Sequence, residues 1–301
     1  MRIVLVGAVE STSVALNAMR ESACDIAMVV TLDRDLAGRH SDFVDLAPDA
    51  QEISAQLLAI RKTNDPATLD AIRQAEPDGI FVIGWSQICG PDFLAIAPGR
   101  TFGYHPAPLP RMRGRAVIPW TILADEKISG SSLFWMDEGV DTGALLAQEF
   151  FHVAPRETAA SLYAKHMVAL DTIVRRAIEA LADGSAREIL QDESCATYCA
   201  RRRPSDGEVD WRRPAEEIDR LIRAVGRPYP GAFTQAGNAR MTLWASCPIK
   251  SIDHHASAGQ IVGIDGEALI VQTGSGVIRI EEWSMDDGQP PRIHSILGHA
   301  Q

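Results

Sequence analysis

Met1-Arg2-Ile3-Val4-Leu5-Val6-Gly7 opens the chain with four consecutive apolar residues held between an arginine and a glycine. Three of the four are β-branched, and a short run of that kind ending at a glycine predicts a buried strand entering a turn. Gly7 also cuts the run short of the apolar core that a secretory signal peptide needs. Outward from this strand, the amphipathic stretch from about Ser13 to Met19 predicts a helix, and Ile26–Leu32 a second apolar strand. Pro66–Ala75 predicts a short helix and Gly79–Gly84 another strand. Pro91–Ile96 predicts a further helix, with its proline at the first position, where the missing N–H costs nothing. Strand and helix in alternation predict a parallel sheet with helices on both faces. In such sheets ligands bind beyond the carboxyl ends of the strands, which directs attention to Gly7–Ser11, Trp85–Gly90, Tyr104–Gly114 and the residues around Asp137–Gly143.

The texture changes after about Glu188. Thr158–Leu181 predicts a long helix ended by Gly184, and Arg201-Arg202-Arg203-Pro204-Ser205-Asp206-Gly207 is a charged, turn-rich connector. A helix at about Pro214–Val225 precedes short glycine-punctuated strands at Arg240–Ala245, Gly259–Gly263, Ala268–Gln272 and Val277–Trp283. The expected architecture is α/β: a Rossmann-like open parallel sheet over residues 1–204, then a smaller β-rich, OB-like domain over 205–301. With 301 residues, 46% of them hydrophobic, the chain has ample material for both cores.

Charge narrows the partners. The 29 Lys and Arg against 40 Asp and Glu leave a net −11, of which −4 falls from Ser205 onward and −7 before it. Neither part has the basic character of a nucleic-acid clamp, although a local pocket of arginines for one phosphate group stays open. No apolar run approaches a membrane span. Five cysteines, an odd number in a large chain, do not indicate a disulfide framework. Cys195 and Cys199 lack a second Cys/His pair to hold a metal, and would share a face if helical. The Gly7-Ala8-Val9-Glu10-Ser11 turn lacks the three-glycine dinucleotide fingerprint, and His254-His255 reads as surface. A cytoplasmic protein without a metal is expected, and a homo-oligomer is compatible with the sequence.

Two segments carry chemistry. In Gly103-Tyr104-His105-Pro106-Ala107-Pro108-Leu109-Pro110-Arg111-Met112-Arg113-Gly114-Arg115, three prolines stiffen a loop that leaves a strand at His105 and leads into arginines. This is either an imidazole positioned beside an anion site or a buried structural histidine. After the strand-like Ser131–Met136 comes Asp137-Glu138-Gly139-Val140-Asp141-Thr142-Gly143, either an acidic surface turn or the source of a carboxylate, Asp141, for His105.

His105-Pro106, Leu109-Pro110 and Arg113-Gly114, followed by Asp141-Thr142-Gly143, together resemble the folate-dependent formyltransferases. That family includes enzymes acting on methionyl-tRNA, on glycinamide ribonucleotide and on nucleotide sugars. Arg202-Arg203-Pro204, Asp210-Trp211, Ile222-Arg223-Ala224 and Pro228-Tyr229-Pro230-Gly231-Ala232-Phe233 resemble the second domain of the longer members. The resemblance is closest to the nucleotide-sugar enzymes, such as the one that formylates UDP-4-amino-4-deoxy-L-arabinose. It implies formyl transfer from N10-formyltetrahydrofolate to the amine of a nucleotide-linked amino sugar, with methionyl-tRNA as the alternative acceptor. It further implies His105 and Asp141 as catalytic residues, and Trp85, Ser86, Gln87, Ile88 and Asp137 beside the folate. Gly7, Pro108, Arg113, Arg115 and Arg201 would lie beside the acceptor. One departure stands out: the family's Asn two residues before the histidine, an oxyanion donor, is here Gly103. Losing such a donor costs about 10²–10³ in rate, so a binding protein with altered chemistry is a third reading.

Overall fold

The computed structural model describes residues 1–22, 24–39, 42–250, 254–286 and 289–298. In chain order the elements are β1 (Arg2–Val6), α1 (Glu10–Arg20), β2 (Asp25–Leu32), α2 (Ala47–Glu52), β3 (Gln56–Ile60), α3 (Pro66–Gln74), β4 (Gly79–Val82) and α4 (Pro91–Leu94). They continue with β5 (Thr101–His105), β6 (Arg113–Gly114), α5 (Val117–Leu123), β7 (Ile128–Trp135), β8 (Leu145–His152), α6 (Ala159–Asp183) and β9 (Tyr198–Cys199). The last are α7 (Ala215–Val225), β10 (Ala232–Ala236), β11 (Ala239–Ile249), β12 (Ile261–Asp265), β13 (Ala268–Gln272) and β14 (Val277–Met285). Two compact units result. One comprises 1–117, 128–152 and 164–200; the other comprises 118–127, 153–163 and 201–301.

The first unit holds a seven-stranded sheet in the order β3-β2-β1-β4-β5-β7-β8. Its first five strands in that order are parallel, while β7 runs antiparallel to both β5 and β8. The opening run of β1 is apolar throughout because both faces of the sheet are covered. Ile3 and Leu5 pack with Leu16 and Met19 of α1 and with Leu170, Ile173 and Val174 of α6. Val4 and Val6 pack on the opposite face with Leu69 and Ile72 of α3 and Phe93 of α4. Each fully buried aliphatic chain of this kind contributes about 1.5–3 kcal/mol. Gly184, at φ +74°, terminates α6 as its sequence predicts.

The strands that periodicity does not show are β3 and β8, the two edges of the sheet. Both are largely exposed or half-buried, and their apolar runs, residues 57–60 and 145–147, are poor in the β-branched residues that mark β1. In the second unit a five-stranded antiparallel sheet in the order β10-β11-β14-β13-β12 packs with α7, whose Ile218, Ile222 and Val225 recur at helical spacing and are buried. Among the described residues no helix is long and apolar enough to cross a membrane. Among the described residues no disulfide joins any of the five cysteines.

Candidate functional site

β1, β4 and β5 lie side by side and end at Val6, Val82 and His105. The chain order reverses between β1 and β4, the position at which open α/β sheets form a crevice. The loops knit together there: Ile83 N–H donates to Val6 O and Ala8 N–H to Gly84 O, at 2.9 and 3.2 Å. A Cβ on Gly7 would stand 2.0 Å from Ile83 O, so this glycine is required by the close approach of the two strand ends.

His105 ends β5 with its side chain only 7% exposed. Its Nε2 lies 2.8 Å from Met112 O, and because a carbonyl only accepts, that nitrogen carries the proton. Nδ1 faces Asp141 Oδ2 at 3.6 Å, adjacent but longer than a hydrogen bond. The same carboxylate oxygen accepts from Gly114 N–H at 2.8 Å. A carbonyl and a carboxylate thus flank the ring. The stiff loop is fastened to its neighbours: Ser132 Oγ donates to Ala107 O (2.7 Å) and Gln148 Nε2 to Leu109 O (3.0 Å). Pro108 is buried within it.

His105 and Asp141 meet by a route the sequence pattern does not foretell. Strands ending at one side of a parallel sheet would have brought them together, but β7 is antiparallel to β5. Trp135 therefore pairs with Phe102 while Ser132 pairs with His105, so the chain leaves β7 at the wrong end. The 137–143 turn has to double back along β5 for Asp141 to reach the ring. Asp137 closes that turn, its Oδ1 accepting from Gly139 N–H (3.0 Å) and Thr142 Oγ1 (2.7 Å). Asp141 itself sits at φ +57°, and Met112 at +61°. Both are left-handed conformations that non-glycine residues seldom adopt.

Gly103 lies on the same face as His105, two residues away, directly opposite Phe134. A Cβ there would come within 2.6 Å of Phe134 Cζ and 3.1 Å of Met136 Cγ. The space an amide side chain would take is filled by an aromatic ring.

The remaining residues divide by accessibility. Arg113 is fully buried. Its guanidinium donates to Glu193 Oε2 and Oε1 (2.8 and 2.6 Å), to Gln191 Oε1 (2.8 Å) and to Tyr198 OH (3.0 Å). A diphosphate would have to displace all of these, so Arg113 anchors its loop instead of presenting a free charge. The pairing in turn holds the Glu193 carboxyl below its usual range. Arg115 is exposed and reaches Ser86 O at 3.3 Å. Arg201 is exposed and belongs to the second unit. Trp85 is half-buried against the α3–α4 core, its indole N–H donating to Thr63 Oγ1 at 2.9 Å. Gln87 accepts from Thr63 N–H (3.0 Å) and donates to Arg61 O (3.0 Å). These two side chains shape the loop after β4, while Ser86 and Ile88 face solvent. Cys195 and Cys199 lie in a 3-10 turn and in β9, not on one helix. No group of three or more metal-ligating side chains occurs among the described residues.

Sequence reasoning missed Thr63 and Asn64, which pin the loop after β4, and Gln191, Glu193 and Thr197, which line the arginine loop. None belongs to a periodic or charged pattern that would single it out. It also missed His166, buried beneath the site. His166 Nδ1 lies 2.9 Å from Ser131 Oγ, which reaches Tyr104 OH at 3.0 Å. Burial, with a smaller contribution from His105, pushes its pKa down to about 3.

Comparison with known proteins bears on the family and the fold. The family model described as formyl transferase matches residues 1–178, and that described as formyl transferase, C-terminal domain, matches 202–300. Among solved structures, HypX from Aquifex aeolicus superposes with a TM-score of 0.68 at 20% identity over 94% of this chain. The match covers 45% of the HypX chain, so this chain spans less than half of that protein's length. WlaRD, a sugar 3N-formyl transferase solved with dTDP and 5-N-formyl-THF, gives 0.70 at 18% identity over 96% of this chain and 99% of its own. An N-formyltransferase from Helicobacter canadensis, in complex with folinic acid and dTDP-3-aminofucose, gives 0.70 at 16% identity over 94% and 99%.

Proposed function

The chain belongs to the formyl transferase family, and from that premise we propose that it moves the formyl group of N10-formyltetrahydrofolate to the primary amine of a nucleotide-linked amino sugar. The observation that carries this reading is the His105–Asp141 pair at 3.6 Å, beside the strand-end crevice. The folate supplies the activated formyl carbon. The amine forms a C–N bond to that carbon, the bond to N10 breaks, and one proton passes from the acceptor nitrogen to N10. Asp141, the more exposed of the pair, takes the proton that the amine sheds. His105 donates to the oxygen where negative charge develops. Phe134 covers Gly103, so on this face of the sheet the oxygen's hydrogen bond falls to His105.

The loop of Trp85, Ser86, Gln87 and Ile88 would hold the folate by its backbone edges and by the exposed Ile88. Arg115, exposed, is the candidate for the phosphates, because guanidinium forks match phosphate oxygens. Residues 1–204 would form the catalytic domain and 205–301 an accessory one. The test is turnover of N10-formyltetrahydrofolate against a panel of nucleotide-linked amino sugars and against methionyl-tRNA. A formylated sugar nucleotide is the expected product. Formylation of the tRNA alone would overturn the choice of acceptor.

A further inference from the structure

The chemistry proposed above needs the Asp141 carboxylate held against His105, although Asp141 lies on a turn that doubles back and has a left-handed backbone. Such a conformation is strained and persists only where surrounding groups enforce it. One side chain reaches both that turn and the arginine loop. Gln191 donates from Nε2 to the carbonyls of Asp141 (2.9 Å) and Gly143 (2.7 Å). Its Oε1 accepts from Arg113 Nε (3.2 Å) and from a terminal guanidinium nitrogen (2.8 Å). A guanidinium can only donate, so the amide oxygen must face Arg113 and the NH₂ must face the turn. Glu193 and Tyr198 lock Arg113 from behind. Glutamate in place of Gln191 would keep the contact to Arg113 and lose both donors. Asparagine is one methylene short.

The strand segment that follows holds the other partner of His105. Met112 N–H donates to Thr197 Oγ1 at 2.8 Å and Arg113 N–H to Thr197 O at 2.9 Å. β6 and β9 then pair in parallel. The carbonyl of Met112 is the one that accepts from His105 Nε2. Residues 191–199 thus act as a strap with two arms, one through Gln191 to Asp141 and one through Thr197 to Met112.

We propose that Gln191 is a positioning residue for formyl transfer, fixing through the Asp141 and Gly143 carbonyls the place where the carboxylate meets His105. The proposal rests on the functional reading for its kinetic consequence but not for its structural one. The experiment compares the full chain with Q191E, Q191M and, as the other arm, T197V. The readouts are steady-state kinetics and the ring-nitrogen NMR resonances of His105.

The folded Q191E and Q191M proteins are expected to lose about 100-fold in kcat, the scale of a misplacement near 1 Å. KM for the formyl donor should stay within about twofold. In both variants the Nδ1 resonance should move while Nε2, still bonded to Met112, stays, and T197V should show the reverse. Wild-type kcat in Q191E, or an unmoved Nδ1 resonance in folded Q191M, would overturn the proposal. A kcat loss that merely tracks the unfolded fraction would overturn it as well. If the wild-type protein formylates no acceptor, the functional reading fails while the NMR comparison still decides the strap. If the Gln191 variants do not fold, the T197V resonances decide it: movement of Nε2 alone supports two separate arms, and movement of both nitrogens or of neither refutes them.

Discussion

Among single residues, the proposed chemistry centres on the His105 imidazole. Replacing His105 with alanine should lower kcat by about 10²–10⁴, the usual contribution of a positioned acid–base group. The fold should be retained, since the ring's hydrogen bond in this structure goes to a single carbonyl. Rapid-quench product analysis together with a thermal melt separates the two effects. Gly103 and Phe134 should behave as one unit. G103N drives a side chain into the Phe134 ring and should cost about 1–3 kcal/mol. F134A opens a cavity worth about 3 kcal/mol. The double variant should be less destabilised than the sum, because each change removes the other's fault. Urea midpoints of the four proteins measure that coupling, and strict additivity would refute it. His166 predicts a pH effect. Its folded pKa of about 3 lies below the ordinary 6.5, so the unfolded chain binds the proton first. Stability is therefore fully present above pH 6.5 and falls as pH drops toward 3, with a limiting slope of about 1.4 kcal/mol per unit from this group. Urea melts at pH 7 and pH 4.5 should show a steeper loss in the wild type than in H166Q.

At the scale of elements, neighbouring loops decide which side chains reach the crevice. Thr63, in the loop that follows β3, holds both the Trp85 indole and the Gln87 amide, so the shape of the loop after β4 depends on a residue more than twenty positions earlier. T63V should raise KM for the formyl donor about tenfold, equivalent to 1.4 kcal/mol, with a smaller change in kcat, because the chemical pair is untouched. Equal losses in both constants would show that the loop does not bind the donor. The strand signals that were legible share one property. β1, β2 and β4 are covered on both faces and carry apolar runs rich in β-branched residues, whereas β3 and β8 are edges whose apolar runs are mostly leucine and alanine. His105 and Asp141 could be named because their local motifs carry them. Gln191 and Thr197 could not, because their work is to bond backbone groups, and any polar residue at those positions reads alike in one dimension.

For the whole molecule, net charge predicts the ionic-strength behaviour of binding. A chain at −11 should hold a nucleotide sugar through one concentrated arginine site and should bind tRNA feebly, because every phosphate contact would work against the overall field. Titrations between low and high salt should show a shallow slope for the nucleotide sugar. Tight, steeply salt-dependent tRNA binding without affinity for any nucleotide sugar would reverse the assignment. The class of sheet was legible along the chain, since apolar runs alternating with amphipathic helices can be buried in few other ways. His105 and Asp141 were legible as candidates, through motifs that resemble a known family. How the pair meets is a matter of tertiary structure alone. The antiparallel turn of β7 sends the chain to the far end of β5, and a doubling-back turn strapped by Gln191 returns Asp141 to His105. It alone decided that Arg113 is an anchor and that Phe134 fills the space over Gly103. The physical reason is range. Periodicity and turn chemistry act over a few residues, whereas strand direction, burial of a guanidinium and the ring that covers a glycine depend on groups brought together across the fold.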